Sequence, residues 1–441
     1  MSHTLISPRW VIPVEPRHTI LEHHAVVVAD DGRISSVLPR SEAKRAFPDA
    51  PETVLASHVL IPGLINTHTH AAMNLMRGFA DDTPLMVWLK DHIWPAEAKH
   101  LGEAMVYDGT ELACAEMLRG GTTTFADFYF YHDDVARAAR DAGMRAMVGA
   151  GVLEFPTRYA ADADAYIARA LSSRAQYVDD PHIRFMLTPH APYTVSDLTF
   201  EKLVTIATEM DGLVMSCHVH ETQTETRDSV REHGVRPIER LERLGVLGPS
   251  FLAVHCVDMT PGEIALFAER GVHVAHCPTS NLKLASGISP VKAMLDAGVN
   301  VSIGTDGAAS NNRLDMFAET RLATLLQKGV SGDAAALPAW QALEMATLNG
   351  ARALQWDSVI GSLAPGKAAD MVAVDLSSVE TSPCYDPASH LWHAAGREHV
   401  THVWVNGELR LAQGRLLRVD EAAICAKAAT WGERFRTGGR G

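Results

Sequence analysis

An α/β chain folded as a (β/α)8 TIM-like barrel, with a small β-sandwich domain built from both termini, is the architecture this sequence predicts. Three observations carry the prediction. Through the middle of the chain, helix, glycine stop, β-branched strand and polar tip recur in that order, which implies parallel βαβ units. The two ends instead alternate apolar and polar residues around tight-turn pairs, as antiparallel hairpins do. Histidines and aspartates gather at the ends of the middle strands, which favours a closed barrel over an open sheet. The 441 residues suit a barrel with an attached smaller domain. Boundaries are expected at 1–58 (β domain, N-terminal part), 59–365 (barrel) and 366–441 (β domain, C-terminal part, plus a terminal helix).

In chain order, Ala25–Val37 alternates around Asp30-Asp31-Gly32 and reads as a hairpin. The apolar run Val59–Ile65 reads as one strand leading into His68 and His70. If its side chains alternate, both histidines point to one side. Asp108–Arg119 is a helix stopped at Gly120-Gly121, before a strand over Thr122–Ala126 that ends at Asp127. Val135–Asp141, stopped at Gly143, precedes the strand Met144–Leu153. Leu187-Thr188-Pro189-His190 ends another strand. Asp197–Glu209 stops near Gly212 and yields to Leu213–Cys217 with His218 at its tip. Pro237–Leu244 is followed by Phe251–Val254 and His255. Thr260-Pro261-Gly262-Glu263 is a capping box whose helix stops at Gly271 before Val272–His276. Ser289-Pro290 opens the next helix, stopped at Gly298 before Val299–Gly304 and Asp306. Glycine supplies the left-handed residue at these helix ends, and β-branched residues fill the strands. Beyond the barrel, Ala369–Asp375 is a strand and Val403–Leu409 a hairpin with Asn406-Gly407 at its turn. Glu421–Arg436 reads as a helix packed on the β domain.

Composition is ordinary for a globular chain, with 47% hydrophobic and 21% charged residues. A net charge of −14 argues against nucleic acid or an anionic membrane as partner. The opening Met1-Ser2-His3-Thr4-Leu5 lacks the basic and apolar regions of a secretory signal, and no apolar run is long enough to span a bilayer. The six cysteines form no C-x-x-C pair and read as reduced thiols, so the cytoplasm is the expected compartment.

The strand ends collect His68, His70, Asp127, His190, His218, His255 and Asp306. Any one of these histidines could simply bond a loop carbonyl. The arrival of four candidate ligands at successive strand tips is harder to explain that way. His68, His70, His218 and Asp306 form a three-nitrogen, one-oxygen set suited to zinc first and ferrous iron second, with a position left for water. A divalent cation there lowers the pKa of water towards neutrality. Glu221, three residues past His218, is placed to collect a proton and deliver it to a leaving group, and His255 to polarise the same water. His220 reads as structural, because a fifth protein ligand would close the site, and Asp127 and His276 read as residues behind the ligands. No lysine occurs between Lys99 and Lys202, where two-metal barrel hydrolases carry a bridging carbamylated lysine, so one metal is expected.

These residues resemble the amidohydrolase superfamily over nearly the whole chain, and within it the 5'-methylthioadenosine/S-adenosylhomocysteine deaminases. The motifs are Pro62–His70 (PGLINTHTH), His218–Glu221 (HVHE), Val254–Asp258 (VHCVD), Ser280–Leu284 (SNLKL) and Gly304–Asn311 (GTDGAASN). More specific is Pro84–Leu89 followed by Ile93–Glu97, which is similar to the nucleoside-binding loop of adenosine-type deaminases. The resemblance implies the same four metal ligands, with Glu221, His255 and Asp306 catalytic and Glu221 and Asp306 also touching the substrate. It implies that Glu97 grips the ribose hydroxyls, His190 contacts the purine, Trp88 lies in the nucleoside loop and Arg158 reaches a substrate carboxylate. Gly149-Ala150-Gly151 stands where a second arginine is expected, which favours methylthioadenosine over S-adenosylhomocysteine. The implied reaction is hydrolytic loss of the 6-amino group of a purine nucleoside, in a homo-oligomeric enzyme, dimer or tetramer. The alternatives are a guanine, pterin or triazine aminohydrolase on the same residues, or a non-catalytic barrel acting as a binding module.

Overall fold

The computed structural model describes residues 2–438. It contains an eight-stranded sheet whose strands follow one another in chain order. These are β1 (Leu64–Thr69), β2 (Thr122–Tyr129), β3 (Arg145–Val152), β4 (Ile183–Pro189), β5 (Met215–Val219), β6 (Phe251–His255), β7 (His273–His276) and β8 (Asn300–Ile303). Parallel registers run from Ala146↔Ile183 to Val152↔Pro189 between β3 and β4, and from Met215↔Phe251 to Val219↔His255 between β5 and β6. At the closing edge, the Thr67 hydroxyl lies 2.9 Å from both Ser302 Oγ and the Ile303 carbonyl, and Asp306 N–H donates to the His68 carbonyl at 2.9 Å. The expected TIM-like barrel is therefore present. Strands β1, β2, β3, β5 and β6 are buried at every residue, as parallel strands covered on both faces must be.

Between strands the helices start and stop on local signals. Thr260 and Glu263 form the expected reciprocal capping box, Pro261 occupies the first turn, and Gly271 closes the helix at φ +69°. Asp162 and Ser196 cap the helices Ala163–Gln176 and Asp197–Glu209 through their side chains. Each such cap is worth about 1 kcal/mol.

Two strand limits differ from the sequence reading. Val59–Ile65 is not one strand, because the chain leaves one sheet at Pro62 and enters the barrel at Leu64. A Cβ on Gly63 would lie 2.0 Å from Thr123 Oγ1, so only glycine passes through the crossover. Strand β2 runs on to Tyr129, which places Asp127 inside the strand and makes Tyr129 its tip.

The second sheet is mixed, nine-stranded and drawn from both termini. Its join is Glu52–Pro62, parallel to His3–Val11 on one side and antiparallel to Met371–Asp375 on the other. The hairpin His24–Ala29/Ile34–Pro39 and the Asn406-Gly407 turn, both residues at positive φ, appear as expected. Ile6, Val26, Leu60, Met371 and Trp404 are among the residues of its core.

The chain divides into two compact units. One holds the described part of Met1–Asn66 with Ala115–Thr124 and Asp315–Val419, and the other holds Thr67–Cys114, Phe125–Leu314 and the described part of Asp420–Gly441. The helix Glu421–Gly438 thus falls in the unit that carries the barrel's catalytic ends, not on the β domain. The reason lies in its contacts: Trp431 Nε1 donates to Asp108 at 2.9 Å, Lys427 pairs with Glu111 at 2.9 Å, and the rings of Phe435 and Phe79 lie 5.8 Å apart. Among the described residues no helix is long and apolar enough to cross a membrane.

Candidate active site

Strand β1 delivers His68 and, one residue past its end, His70. Their rings lie 4.9 Å apart, on the shared side that alternation predicts. Asp306 follows β8 and places Oδ1 3.4 Å from His68 Nε2 and 3.2 Å from His70 Nε2. His218, in β5, brings its Nε2 to 3.3 Å from His68 Nε2. The donor atoms of His68, His70 and Asp306 fall within 4.8 Å of one another, as do those of His68, His218 and His255. The outer ring nitrogens orient the inner ones. His70 Nδ1 donates to the Phe128 carbonyl at 2.5 Å and His218 Nδ1 to the His190 carbonyl at 2.7 Å, which leaves each Nε2 lone pair facing inwards. Ser280 and Ser310 donate to Asp306 Oδ2 at 2.6 and 2.9 Å, and Gly307 N–H to Oδ1 at 2.8 Å. Burial works against ionising Asp306, yet the two imidazoles hold its carboxyl well below the usual range. Three imidazole nitrogens and one carboxylate oxygen, already convergent, with His70, His218 and Asp306 held from behind, fit a divalent cation.

Backbone strain collects around these ligands. His220, His255 and Asp306 adopt φ of +53°, +74° and +60°. Each costs of order 1–3 kcal/mol and is retained where the surroundings over-determine it.

Glu221 is buried, with Oε2 3.9 Å from His255 Nε2. Burial raises its pKa above the usual carboxylate value, the direction a proton donor needs. His255 Nδ1 is tied to Asn281 Oδ1 at 2.8 Å, so its Nε2 faces Glu221. His220 is structural, as expected: Nδ1 bonds the Asp258 carbonyl at 3.0 Å and Nε2 accepts from Ile238 N–H at 3.3 Å. Asp127 accepts from Ala71 N–H at 2.7 Å and so braces the turn after His70. Burial pushes its carboxyl up to about 6.

A cleft of about 900 Å³, open solvent included, is lined by His70, His218, Glu221, His255 and Asp306. Its far end is lined by Glu97, on the helix Trp94–His100, and by aromatic rings. The Tyr129 hydroxyl donates to Glu97 Oε1 at 2.5 Å, and burial pushes the Glu97 carboxyl up to about 7. His190 also lines the cleft, its ring 5.0 Å from that of His218 and its Nδ1 3.0 Å from Thr194 Oγ1. Burial pushes it down to about 3, so it is neutral at physiological pH. Phe128 stacks on His218, with centroids 4.5 Å apart and planes at 10°. Trp88 lines the wall from a π-helical turn over Trp88–Ile93, a distortion that recurs at functional sites.

Not every expected residue joins this cleft. Arg158 is exposed and does not line it; its guanidinium reaches the Lys99 carbonyl instead, at 3.5 Å. Met86, expected beside Leu85 and Trp88, is 37% exposed and faces a neighbouring cleft. Sequence reasoning missed Phe128, Tyr129, Phe130 and Phe155 as cavity walls. The run Phe128-Tyr129-Phe130 at a strand tip was the available signal. No lysine or arginine is among the described lining residues. At Gly149 the reason is steric: a Cβ there would lie 2.2 Å from the Asp127 carbonyl oxygen, so β3 passes β2 too closely to carry a side chain.

The sequence model of the amidohydrolase family matches residues 59–410. The chain belongs to the amidohydrolase family. A 5-methylthioadenosine/S-adenosylhomocysteine deaminase of Teredinibacter turnerae is 45% identical over 426 residues, 97% of this chain and 96% of its own. A 5'-deoxyadenosine deaminase of Methanothermobacter thermautotrophicus is also 45% identical, over 400 residues, 90% of this chain and 92% of its own. The crystal structure of an adenosine deaminase from Xanthomonas campestris with bound zinc superimposes with a TM-score of 0.96 at 49% identity, covering 99% of both chains. This amidohydrolase is a metal-dependent hydrolase of a C–N bond in a small molecule.

Proposed function

We propose that this amidohydrolase removes the 6-amino group of 5'-methylthioadenosine by hydrolysis, giving the inosine analogue and ammonia, with one zinc ion per chain. A single observation carries the reading: one cleft joins the convergent metal donors and Glu221 at one end to Glu97 and its aromatic walls at the other. The similarity to deaminases of 5'-modified adenosines supports it.

His68, His70, His218 and Asp306 would hold the cation, which would supply a Lewis acid and activate water at neutral pH. Glu221 takes one proton of the attacking water and delivers it to ring N1 as oxygen adds at C6. Asp306 takes the second, which leaves with the amine as ammonia. His255, fixed by Asn281, orients the water through Nε2. Neutral His190 bonds a purine ring nitrogen. Glu97 accepts hydrogen bonds from the 2' and 3' hydroxyls, with the Tyr129 hydroxyl holding Oε1 in place.

The 5' substituent then meets Trp94, Phe130, Leu153 and Phe155 and no cation. A methylthio group fits such walls, while the charged amino-acid tail of S-adenosylhomocysteine would be desolvated without a partner. Arg158 has no substrate contact in this reading. Burying the methylthio group is worth about 1–2 kcal/mol, so kcat/KM for methylthioadenosine should exceed that for adenosine by about tenfold. A steady-state comparison of methylthioadenosine, adenosine, S-adenosylhomocysteine and guanine tests this. A faster S-adenosylhomocysteine, or guanine deaminated with methylthioadenosine untouched, would overturn it.

A further inference from the structure

We propose that Glu225 is a positioning residue that holds Glu221 in its catalytic place. The inference rests on the reading of Glu221 as the proton carrier.

Strand β5 ends at Val219 and His220 reverses the chain at φ +53°, so that Glu221 enters the cleft. Glu225, one turn into the helix Gln223–His233, folds back over this turn. Its Oε1 accepts from His220 N–H at 2.9 Å and its Oε2 from Glu221 N–H at 2.8 Å. The helix itself is capped separately, since Thr222 Oγ1 accepts from Glu225 N–H at 3.1 Å. The same protein shows the ordinary arrangement elsewhere: Glu263 returns its carboxyl to the N–H of its own cap residue, Thr260, at 2.8 Å. Glu225 bypasses the cap residue and grips the two residues before it. Capping does not require that reach, and its effect falls on the backbone of Glu221.

The partners of His220 complete the clamp. Its carbonyl accepts from Val257 N–H at 2.9 Å and Asp258 N–H at 3.1 Å, tying the turn to the loop after β6. Glu225 holds the donor side of the same turn. A carboxyl group whose two oxygens each accept an N–H bond fixes both direction and distance, and it does so although burial pushes its pKa up to about 8. Loss of one bond would let Glu221 drift relative to His255 while leaving the ligands and the ribose end of the cleft alone. A displacement near 1 Å at a reacting group can cost about a hundredfold in rate.

Three variants of the zinc-loaded enzyme, assayed with 5'-methylthioadenosine, test the proposal. In Glu225→Gln one carboxylate oxygen becomes an NH2 group facing an N–H, so one bond is lost. We expect kcat to fall about tenfold or more, KM to stay within about twofold, and metal content to stay at that of the parent. Glu225→Asp, too short to reach both N–H groups, should show the same split and serves if the Gln variant does not fold. Thr222→Ala removes the cap but spares the clamp, and should lower the melting temperature while keeping kcat within about twofold. An unchanged kcat in both Glu225 variants, a rise in KM alone, metal loss, or equal kcat losses in Thr222→Ala and Glu225→Gln would each overturn the clamp. Glu221→Gln separates the two readings: if it is inactive while the Glu225 variants are normal, only the clamp fails. If it turns over normally, the role of Glu221 fails first.

Discussion

The two ends of the cleft are built differently. At the inner end, His68, His70, His218, His255 and Asp306 come from barrel strand tips, and four of them are held by a visible hydrogen bond from behind. At the outer end, Trp88, Trp94 and Glu97 come from one helical stretch and Phe155 from a loop, and the one carboxyl there is held by a single hydroxyl. Strand tips fix a reaction centre to within the tolerance that chemistry demands, while helices and loops shape what is admitted to it. The contrast predicts that damage at the inner end abolishes turnover and that damage at the outer end redistributes it among substrates.

The largest effect should come from His68→Ala or Asp306→Ala, which remove a ligand from the convergent set. Metal and activity should be lost together, as read by elemental analysis and ammonia release. Two equivalents of metal at full activity in the parent enzyme would contradict the single site. Glu221→Gln should keep its metal and lose about a hundredfold or more in kcat, because the amide is nearly isosteric but carries no proton. Metal loss in that variant would make Glu221 a ligand and blur the division just drawn.

At the outer end, Glu97→Gln should raise KM for methylthioadenosine by roughly tenfold with a smaller change in kcat. The same residue predicts a pH dependence. Burial raises the Glu97 pKa to about 7, and only the ionised form accepts from both hydroxyls, so KM for the nucleoside should fall as pH rises through that range. In Glu97→Gln that trend should vanish. The folding sign is opposite: a carboxyl with a raised pKa makes the fold less stable as pH climbs from about 4.5 to 7. Activity and thermal stability should therefore part company across this window. The smallest effect is expected from Arg158→Ala, within about twofold for methylthioadenosine, since its side chain is exposed outside the cleft.

The same division explains what the sequence disclosed. The convergence of the proposed ligands was legible because a parallel strand must end in a polar residue to serve a barrel site, and each of these strands is a short apolar run that points to its own tip. His218 and Asp306 needed only that rule. Glu225 was invisible, because a glutamate one turn into a helix looks the same whether it meets water or folds back on the turn before it. The break at Gly63 was hidden as well, since an apolar run carries no mark of the point where it changes sheets. Tyr129 escaped because β2 was read as ending two residues early, which turned a cavity wall into a loop. Arg158 was placed by resemblance, and the exposed position of its side chain follows from local chain geometry that no motif records.

The close passage of β3 beside β2 at Gly149 restricts how this enzyme can change. Any residue other than glycine there would drive its first carbon into the Asp127 carbonyl, whereas a Cβ on Gly151 would lie 3.0 Å from the Tyr129 carbonyl oxygen, a contact that a small shift relieves. A point mutation at Gly149 therefore cannot install a cation for a substrate carboxylate. Descendants of this sequence that come to accept a charged 5' tail can recruit the charge from the segment after Leu153 or from the helical stretch around Trp94. A directed-evolution library should spend its diversity there and leave Gly149 alone.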